Sequence, residues 1–250
     1  MPAVPAVLCR GVVKRFYRYE HRTRSLRELF VRAFLRRPIH VRHAEFSLAG
    51  FDLRVEPGEA VALIGSNGSG KSTALRLIAG IYVPTEGIIE TRGRLTAVIE
   101  LGAGLQPELT GLENVSLYAA VLGLTRRELA ARLPEILEFA DLGDFIREPV
   151  KYYSSGMQAR LAFSVALCVR PDVLLLDEVL AVGDQDFRHR CLERLREHLR
   201  RGGALVVVSH DVETVRELCA RAVWLERGRV RMEGPAREVI AAYEAEGPGR

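Results

Sequence analysis

Apolar and polar positions follow two different patterns along the chain. Three short runs are continuously apolar, which is typical of strands in a parallel sheet that is covered on both faces: residues 60–65, 173–178 and 204–210. From 110 to 169 the apolar positions recur at helical spacing, and Thr125 with Glu128 has the T-x-x-E form of a capping box. The pattern predicts an α/β fold with a mostly parallel core sheet and a helical subdomain inserted at about 110–169.

Length and composition fit one large domain or two small ones. The chain has 250 residues, of which 48% are apolar, and this is enough for a sizeable core. No apolar run approaches the roughly 20 residues that span a bilayer, and the N-terminus lacks the layout of a signal peptide. No C-x-x-C pair occurs among the four cysteines, so neither a zinc site nor a disulfide framework is predicted for Cys9, Cys168, Cys191 and Cys219. We expect one domain over 1–250 that stays in the cytosol.

The formal net charge of +4 is unevenly distributed, because residues 18–43 are rich in arginine. Apolar residues in this segment recur at helical spacing up to Pro38, namely Leu26, Leu29, Phe30, Ala33 and Phe34. The pattern predicts a basic amphipathic helix in an N-terminal insertion. Such a helix can lie on anionic headgroups, on a membrane protein or near a phosphate-bearing glycolipid. The alternative is a solvated helix that packs on its own domain.

A glycine-rich stretch, "GSNGSGKST", matches G-x-x-x-x-G-K-[ST] and lies between an apolar strand and a helix, which is the context required of a P-loop. The predicted phosphate-binding residues are Gly65, Ser66, Asn67, Gly68, Ser69, Gly70, Lys71, Ser72 and Thr73. The glycines leave the backbone free to wrap phosphate oxygens, and Lys71 supplies a positive charge to the outer phosphates. The Ser72 hydroxyl is a predicted ligand of Mg²⁺.

A second motif, "VLLLDE", places two acids at the end of an apolar strand. Asp177 is the candidate to hold Mg²⁺, and Glu178 is the candidate general base that polarises the attacking water. Two solvated acids at a strand end are common by themselves. Together with the P-loop, however, they indicate attack of water on a bound phosphate, with Mg²⁺ as the cofactor.

Further motifs follow in an order that resembles the ATP-binding-cassette (ABC) ATPases. "YSSGM" at residues 153–157 resembles that family's LSGGQ signature, and "LAVGD", ending in Asp184, stands at the position of its D-loop. His210 stands at the position of its switch histidine. The resemblance spans about residues 7–243. It implies a nucleotide-binding domain in which an antiparallel β part accompanies the core sheet.

The resemblance also implies a role for the signature turn. In the family this turn binds the γ-phosphate of ATP held on the P-loop of a second copy, in a head-to-tail dimer. Ser154, Ser155 and Gly156 would supply hydroxyl and amide donors at the positive end of a helix. A serine that merely caps an ordinary helix would satisfy the same local chemistry.

Three other roles come from the resemblance. His210 would contact the γ-phosphate as a catalytic residue. Phe16 would stack on adenine, although Tyr17 and Tyr19 compete for this role. Relatives usually have a glutamine after the next strand, where it touches Mg²⁺ and the membrane partner. By spacing this chain has Glu100 there, in "AVIELGAGLQ", and we expect coupling to involve the loop at 102–112.

The basic insertion at 18–43, "IELGAG", "YSSGM" and "DEVLAVGD" together resemble the ATPase subunits of bacterial exporters of lipid-linked polysaccharides such as O-antigen, teichoic acid and capsule. This implies a membrane-spanning permease as partner and a peripheral location on the cytoplasmic face of the inner membrane. A lipid-linked glycan is expected near the basic helix. The carbohydrate-binding domain that some relatives carry after the cassette is not expected here.

Two other functions remain open. The chain could energise a transporter with another cargo, since an ATPase subunit without a cargo-binding domain says little about cargo. It could also be a soluble cassette protein that acts on ribosomes or DNA. Such relatives typically carry two cassettes or a long coiled coil, and this sequence has neither, so no nucleic-acid partner is expected.

Overall fold

The computed structural model describes residues 4–19, 42–99, 104–177, 184–209 and 211–247. The described strands are β1 Val7–Tyr19, β2 Arg42–Val55, β3 Ala60–Ile64, β4 Glu86–Thr91, β5 Leu95–Val98, β6 Val173–Asp177, β7 Ala204–Val208, β8 Arg221–Glu226 and β9 Arg229–Pro235. The described α-helices are α1 Lys71–Ile78, α2 Gly111–Val121, α3 Arg126–Ala140, α4 Ser155–Cys168, α5 Gln185–Arg200, α6 Val212–Leu218 and α7 Ala236–Glu246. Two short 3₁₀ helices, Gly143–Arg147 and Val150–Tyr152, lie between α3 and α4.

The core is a six-stranded sheet with the order β5-β6-β7-β3-β8-β9. All neighbours in it are parallel except β8 and β9. The three apolar runs predicted as strands are β3, β6 and β7, and every residue of β3 and β7 is buried. The predicted α/β fold with a mostly parallel sheet is therefore confirmed.

A second sheet is antiparallel, with the order β2-β1-β4. This is the antiparallel part that the family resemblance implied. The pairing of β1 with β2 runs from Val7 opposite Val55 to Tyr19 opposite Arg42. Both ends of the predicted 18–43 insertion therefore lie in paired strands. The predicted basic helix, at 24–38, lies outside the described residues.

Hydrophobic side chains pack on both faces of the core sheet and, separately, within the helical segment. In that segment Val115, Ile136 and Leu161 are completely buried, which joins α2, α3 and α4 in one cluster. All four cysteines are free and buried. Burial raises the pKa of the Cys9 and Cys191 thiols to about 12, so both stay protonated and unreactive at neutral pH. Within the described residues no helix combines the length and the apolar character needed to cross a bilayer.

Capping boxes fix the starts of α2 and α3. The predicted box is present: the Thr125 amide donates to Glu128 Oε2 at 2.8 Å, and the Glu128 amide donates to Thr125 Oγ1 at 3.2 Å. Thr110 and Glu113 form a second box at the start of α2. Each box satisfies amides that a helix end would otherwise leave unpaired, which is why the helical segment begins where it does.

Thr125→Ala should lower the free energy of unfolding by about 1 kcal/mol, because the amide of Glu128 loses its acceptor at a helix start. Urea unfolding followed by circular dichroism measures the change. Thr125→Ser keeps the hydroxyl and should lose much less. Equal losses in the two variants would mean that the cap hydrogen bond is not what stabilises α3.

Candidate functional site

The P-loop turns so tightly between β3 and α1 that two of its glycines have no room for a side chain. Gly65 has φ +143°, and a Cβ there would lie 2.1 Å from the carbonyl oxygen of Leu225. Gly70 has φ +109°, and its Cβ would lie 2.6 Å from the carbonyl oxygen of Ser47. Only glycine fits both the backbone conformation and the space at these positions. The loop is therefore confined by β2 on one side and β8 on the other.

The loop ends at the bare N-terminus of α1. Gly70 is the N-cap and offers no side-chain hydrogen bond, and the Ala74 amide makes the first bond of the helix to the Gly70 carbonyl oxygen at 2.8 Å. The amides of residues 71–73 are thus the ones that a helix leaves without an intrahelical acceptor. They lie at the positive end of the helix dipole, where anions bind.

Lys71 adds a full positive charge to this site. It is only 5% exposed, and its Nζ donates to the carbonyl oxygens of Gly65 at 2.8 Å and Ser66 at 2.9 Å. A cavity of about 250 Å³ opens beside it and is lined by Ser47, Asn67, Gly68, Gly70, Lys71, Ser72 and Thr73. The cavity combines amides, hydroxyl groups and an ammonium group, which suits a chain of phosphate groups.

The turn between β8 and β9 braces the loop from outside. Gly228, with φ +78°, donates its amide to the Ser69 carbonyl oxygen at 2.9 Å, and its own carbonyl oxygen accepts from the Ala49 amide at 2.8 Å. Sequence reasoning missed both Gly228 and Ser47. They lie far from the P-loop in sequence, and no local pattern marks them as part of it.

Asp177 is the last residue of β6 and lies at the carboxyl edge of the sheet, opposite Val208 of β7. Because β7 also pairs with β3 in parallel, the end of β6 and the P-loop lie at the same edge. This is the edge where open α/β sheets bind ligands. The structure thus brings Asp177 to the same edge as Lys71 and Ser72.

The signature residues lie at the exposed start of α4. Ser154 is its N-cap, and Ser154 Oγ accepts from the Met157 amide at 3.2 Å, so the capping role considered as an alternative is present. A hydroxyl that accepts can still donate its own proton, so capping and anion binding are compatible. Ser154 and Ser155 are exposed, and a Cβ on Gly156 would meet only Ser154 Oγ, at 3.8 Å. None of these three residues lines the cavity at the P-loop.

Asp184 caps α5 through its Oδ1, which accepts from the Phe187 amide at 2.8 Å. That hydrogen bond and the nearby Arg160 guanidinium lower the pKa of Asp184, so it is ionised at neutral pH. Arg160 lies 3.4 Å from Asp184 Oδ2 and 2.7 Å from Asp141 Oδ2. It joins the signature helix to the end of α3 and to the start of α5, a link that sequence reasoning missed.

Phe16 lies on β1 and is 38% exposed. Its ring packs edge-on against Tyr82, with 5.4 Å between the ring centroids and an angle of 77° between the rings. The residue opposite Phe16 in β2 is Glu45, two positions before the cavity-lining Ser47. The register thus brings the backbone of Phe16 towards the cavity, while its stacking on adenine stays a prediction.

The structure says little about the remaining predicted site residues. Tyr17 is 44% exposed, so it remains a competitor of Phe16, while the side chain of Tyr19 lies outside the described part of the chain. Glu100, Glu178 and His210 also lie outside the described residues.

Comparison with known proteins identifies the family. The family model described as ABC transporter matches residues 48–181, which is more than half of the chain. The chain belongs to the ABC transporter family. The matched part holds the P-loop, the signature and the "VLLLDE" strand, and this ABC protein is an ATPase that binds nucleotide.

Curated relatives of this ABC ATPase include export proteins. It is 42% identical to the O-antigen export system ATP-binding protein RfbB of Klebsiella pneumoniae, over 96% of this chain and 98% of the relative. It is 40% identical to the teichoic acids export ATP-binding protein TagH of Bacillus cereus, over 94% of this chain and 42% of the relative. The predicted resemblance to the polysaccharide exporter branch is confirmed.

Solved structures share the fold. An ATP-binding subunit of an ABC transporter superposes with a TM-score of 0.76 at 24% identity, over 97% of this chain and 95% of that one. The ATP-binding cassette MJ0796, solved as a dimer in a post-hydrolysis state with ADP and Pi, superposes with a TM-score of 0.73 at 25% identity, over 92% of this chain and 99% of that one. Subunits of this family act with membrane-spanning partners and associate as such dimers.

A buried asparagine organises the loop of the ABC ATPase in which coupling was predicted. Asn114 is completely buried, and its Oδ1 accepts from the Gln106 amide at 2.7 Å. Its Nδ2 donates to the carbonyl oxygens of Gln106, Leu109 and Thr110, each at 3.0 Å. One side chain thus holds the backbone of 106–110 in a single conformation. No sequence signal identified it.

Gly70→Ala should abolish tight nucleotide binding, because the new Cβ would overlap the Ser47 carbonyl oxygen. Gly68 also has positive φ, +77°, but a Cβ there meets open space. Gly68→Ala should therefore cost only about 1–2 kcal/mol of backbone strain and weaken binding of Mg·ATP by roughly 30-fold at most. Titration calorimetry measures both, with circular dichroism to verify folding. Equal affinities in the two variants would contradict the steric argument.

Proposed function

We propose that this ABC ATPase is the energising subunit of an exporter that moves a lipid-linked polysaccharide or a teichoic-acid-type polymer across the bacterial inner membrane. The observation that carries the proposal is the similarity to RfbB, which extends over nearly the whole length of both chains at 42% identity. The P-loop is common to all ABC ATPases and carries no information about cargo. Similarity along the entire chain to two kinds of polymer exporter does carry it.

The first half of the proposed ATP site is the P-loop of one copy of the chain. The amides at the start of α1 and the Lys71 ammonium would hold the phosphates of ATP, with Phe16 against adenine. Ser72 and Asp177 would hold Mg²⁺, since hydroxyl and carboxylate oxygens at one edge of the sheet are ligands that this ion prefers. Mg²⁺ would neutralise charge on the phosphates. Glu100 would replace the usual glutamine, near the loop that Asn114 fixes.

The second half of the site would come from another copy of the chain. Ser154, Ser155 and Gly156 of one copy would face the γ-phosphate held by the P-loop of the other. Their exposure at the start of α4 and their absence from the P-loop cavity support this arrangement, as does the dimer of MJ0796. Asp184, at the start of α5, would lie near this interface.

Hydrolysis would follow from this closure. A water molecule attacks the γ-phosphorus, Glu178 accepts its proton, and ADP leaves. His210 would contact the γ-phosphate. The exposed donors of the signature gain strength when the closed dimer excludes water.

The proposed setting is peripheral, on the cytoplasmic face of the inner membrane, where one nucleotide-binding domain over 1–250 meets a separate permease. The arginine-rich segment at 18–43 would face the membrane, the permease or the phosphate of the lipid-linked glycan. Affinity purification from detergent-solubilised native membranes, with partners identified by mass spectrometry, tests this. A multi-spanning protein encoded beside glycan-synthesis enzymes is the expected partner, and recovery of ribosomes or DNA would contradict the proposal.

Glu178→Gln should reduce ATP turnover at least about 100-fold, because general bases contribute 10²–10⁴-fold to rate. The same variant should accumulate as an ATP-stabilised dimer, measured by size-exclusion chromatography with light scattering. Lys71→Ala should lose nucleotide binding and form no such dimer. Wild-type turnover by Glu178→Gln would show that another group is the base.

Replacing Arg24, Arg27 and Arg32 together by Gln should impair polymer export while the ATPase rate of the isolated subunit stays close to wild type. The reason is that charge on a membrane-facing segment acts on the partner or lipid and not on the P-loop. Export is measured in cells and ATPase activity on the purified variant. An equal fall in both would mean that the segment packs on its own domain and supports its fold.

A further inference from the structure

A hydrogen bond between two hydroxyl groups joins β2 to the first turn of α1. Ser47 Oγ donates to Thr73 Oγ1 at 2.8 Å, across 26 residues of sequence. Both residues line the phosphate cavity together with Lys71 and Ser72. Thr73 belongs to the P-loop motif, whereas Ser47 belongs to no motif in the sequence. The contact therefore places a residue from another strand in the nucleotide site.

The direction of this hydrogen bond decides what the Thr73 hydroxyl can do. A hydroxyl group carries one proton to donate and can accept as well. At 2.8 Å either hydroxyl can donate to the other, and Thr73 Oγ1 makes no other hydrogen bond to the described residues. A phosphate oxygen bound in the cavity that Thr73 lines would be the stronger, charged acceptor, so the Thr73 proton would go to it and Ser47 would donate to Thr73 Oγ1.

We propose that Ser47 is a positioning residue, which orients the Thr73 hydroxyl as a donor to a phosphate oxygen of the bound nucleotide. Hydrogen bonds in such a chain polarise one another, so the Thr73 proton becomes a stronger donor when its oxygen accepts from Ser47. Without Ser47, the Thr73 hydroxyl loses its fixed direction. This inference rests on the proposed binding of ATP at the P-loop.

The backbone around Ser47 holds its hydroxyl in place. The Ser47 carbonyl oxygen would be 2.6 Å from a Cβ on Gly70 and 2.8 Å from one on Gly228, so the strand lies directly against the loop and the bracing turn. The next residue, Leu48, is completely buried. Ala49 then donates its amide to Gly228. Removal of the Ser47 hydroxyl alone leaves all these backbone contacts in place, so we expect the fold to be retained without it.

Ser47→Ala should raise the dissociation constant of Mg·ATP about 3-fold to 10-fold, the loss expected for one hydrogen bond of about 1 kcal/mol. Titration calorimetry measures it on the full chain. The KM for ATP should rise while kcat changes little, since the hydrogen bond acts in the bound ground state as well as in the transition state. Ser47→Thr keeps the hydroxyl and should restore affinity.

A double-mutant cycle tests whether Ser47 acts through the Thr73 hydroxyl. Thr73→Val removes the intermediate hydroxyl at nearly constant shape, so adding Ser47→Ala to it should cause no further loss of affinity. Ser116→Ala is the matched control, because among the described residues the Ser116 hydroxyl hydrogen-bonds only to the Leu112 carbonyl oxygen on α2, at 3.2 Å. This control should bind Mg·ATP like the wild type.

Three results would overturn the inference. Wild-type affinity in Ser47→Ala would show that Thr73 needs no orientation, and equal losses with and without the Thr73 hydroxyl would show that Ser47 acts by another route. A lowered unfolding temperature of nucleotide-free Ser47→Ala would make the role structural. If Lys71→Ala bound Mg·ATP like the wild type, the proposed nucleotide site itself would be wrong. That result is distinct from a result in which only the role of Ser47 is wrong.

Discussion

The carbonyl oxygens of Ser47 and Leu225 press so closely on the P-loop that no side chain fits at positions 70 and 65. This confinement forces the loop to turn sharply and lets the bare N-terminus of α1 and the buried Lys71 ammonium meet in one cavity. A looser loop would scatter the amides that point at an anion. The surrounding sheet, the β2 strand and the β8–β9 turn all serve to keep this space narrow, because the site consists mainly of backbone groups whose direction is set by packing.

The signature residues, unlike the P-loop, are not confined by surrounding backbone. Their donors lie on the exposed start of α4, without a buried ammonium beside them, and a solvated helix terminus attracts anions only weakly. Such a site becomes strong only when a second surface excludes water from it. This difference explains physically why half of the proposed site would come from another copy. Arg160 connects the signature helix to Asp141 at the end of α3 and to Asp184 at the start of α5.

Several features could be predicted from local sequence, since their physical causes are local. A continuously apolar run forms a buried strand, a threonine followed three residues later by glutamate begins a helix, and G-x-x-x-x-G-K-[ST] leaves a backbone able to wrap an anion. The strands β3, β6 and β7, the cap at Thr125 and the position of Lys71 agree with these expectations. The ends of the strands were harder to predict from sequence. The end of β7 at Val208, for example, depends on its pairing with Asp177 of the neighbouring strand β6.

The sequence by itself thus determined the fold class, the P-loop and the family, because each depends on residues close together in the chain or on ordered motifs. Only the tertiary structure decided that Ser47 and Gly228 belong to the phosphate site, that Asn114 fixes the 106–110 loop and that Arg160 joins three helices. These contacts depend on which strands, helices and loops become neighbours, with separations from 4 residues to more than 100. A single sequence carries no local pattern for such contacts, since ordinary serine, glycine, asparagine and arginine residues acquire their roles only from the packing around them.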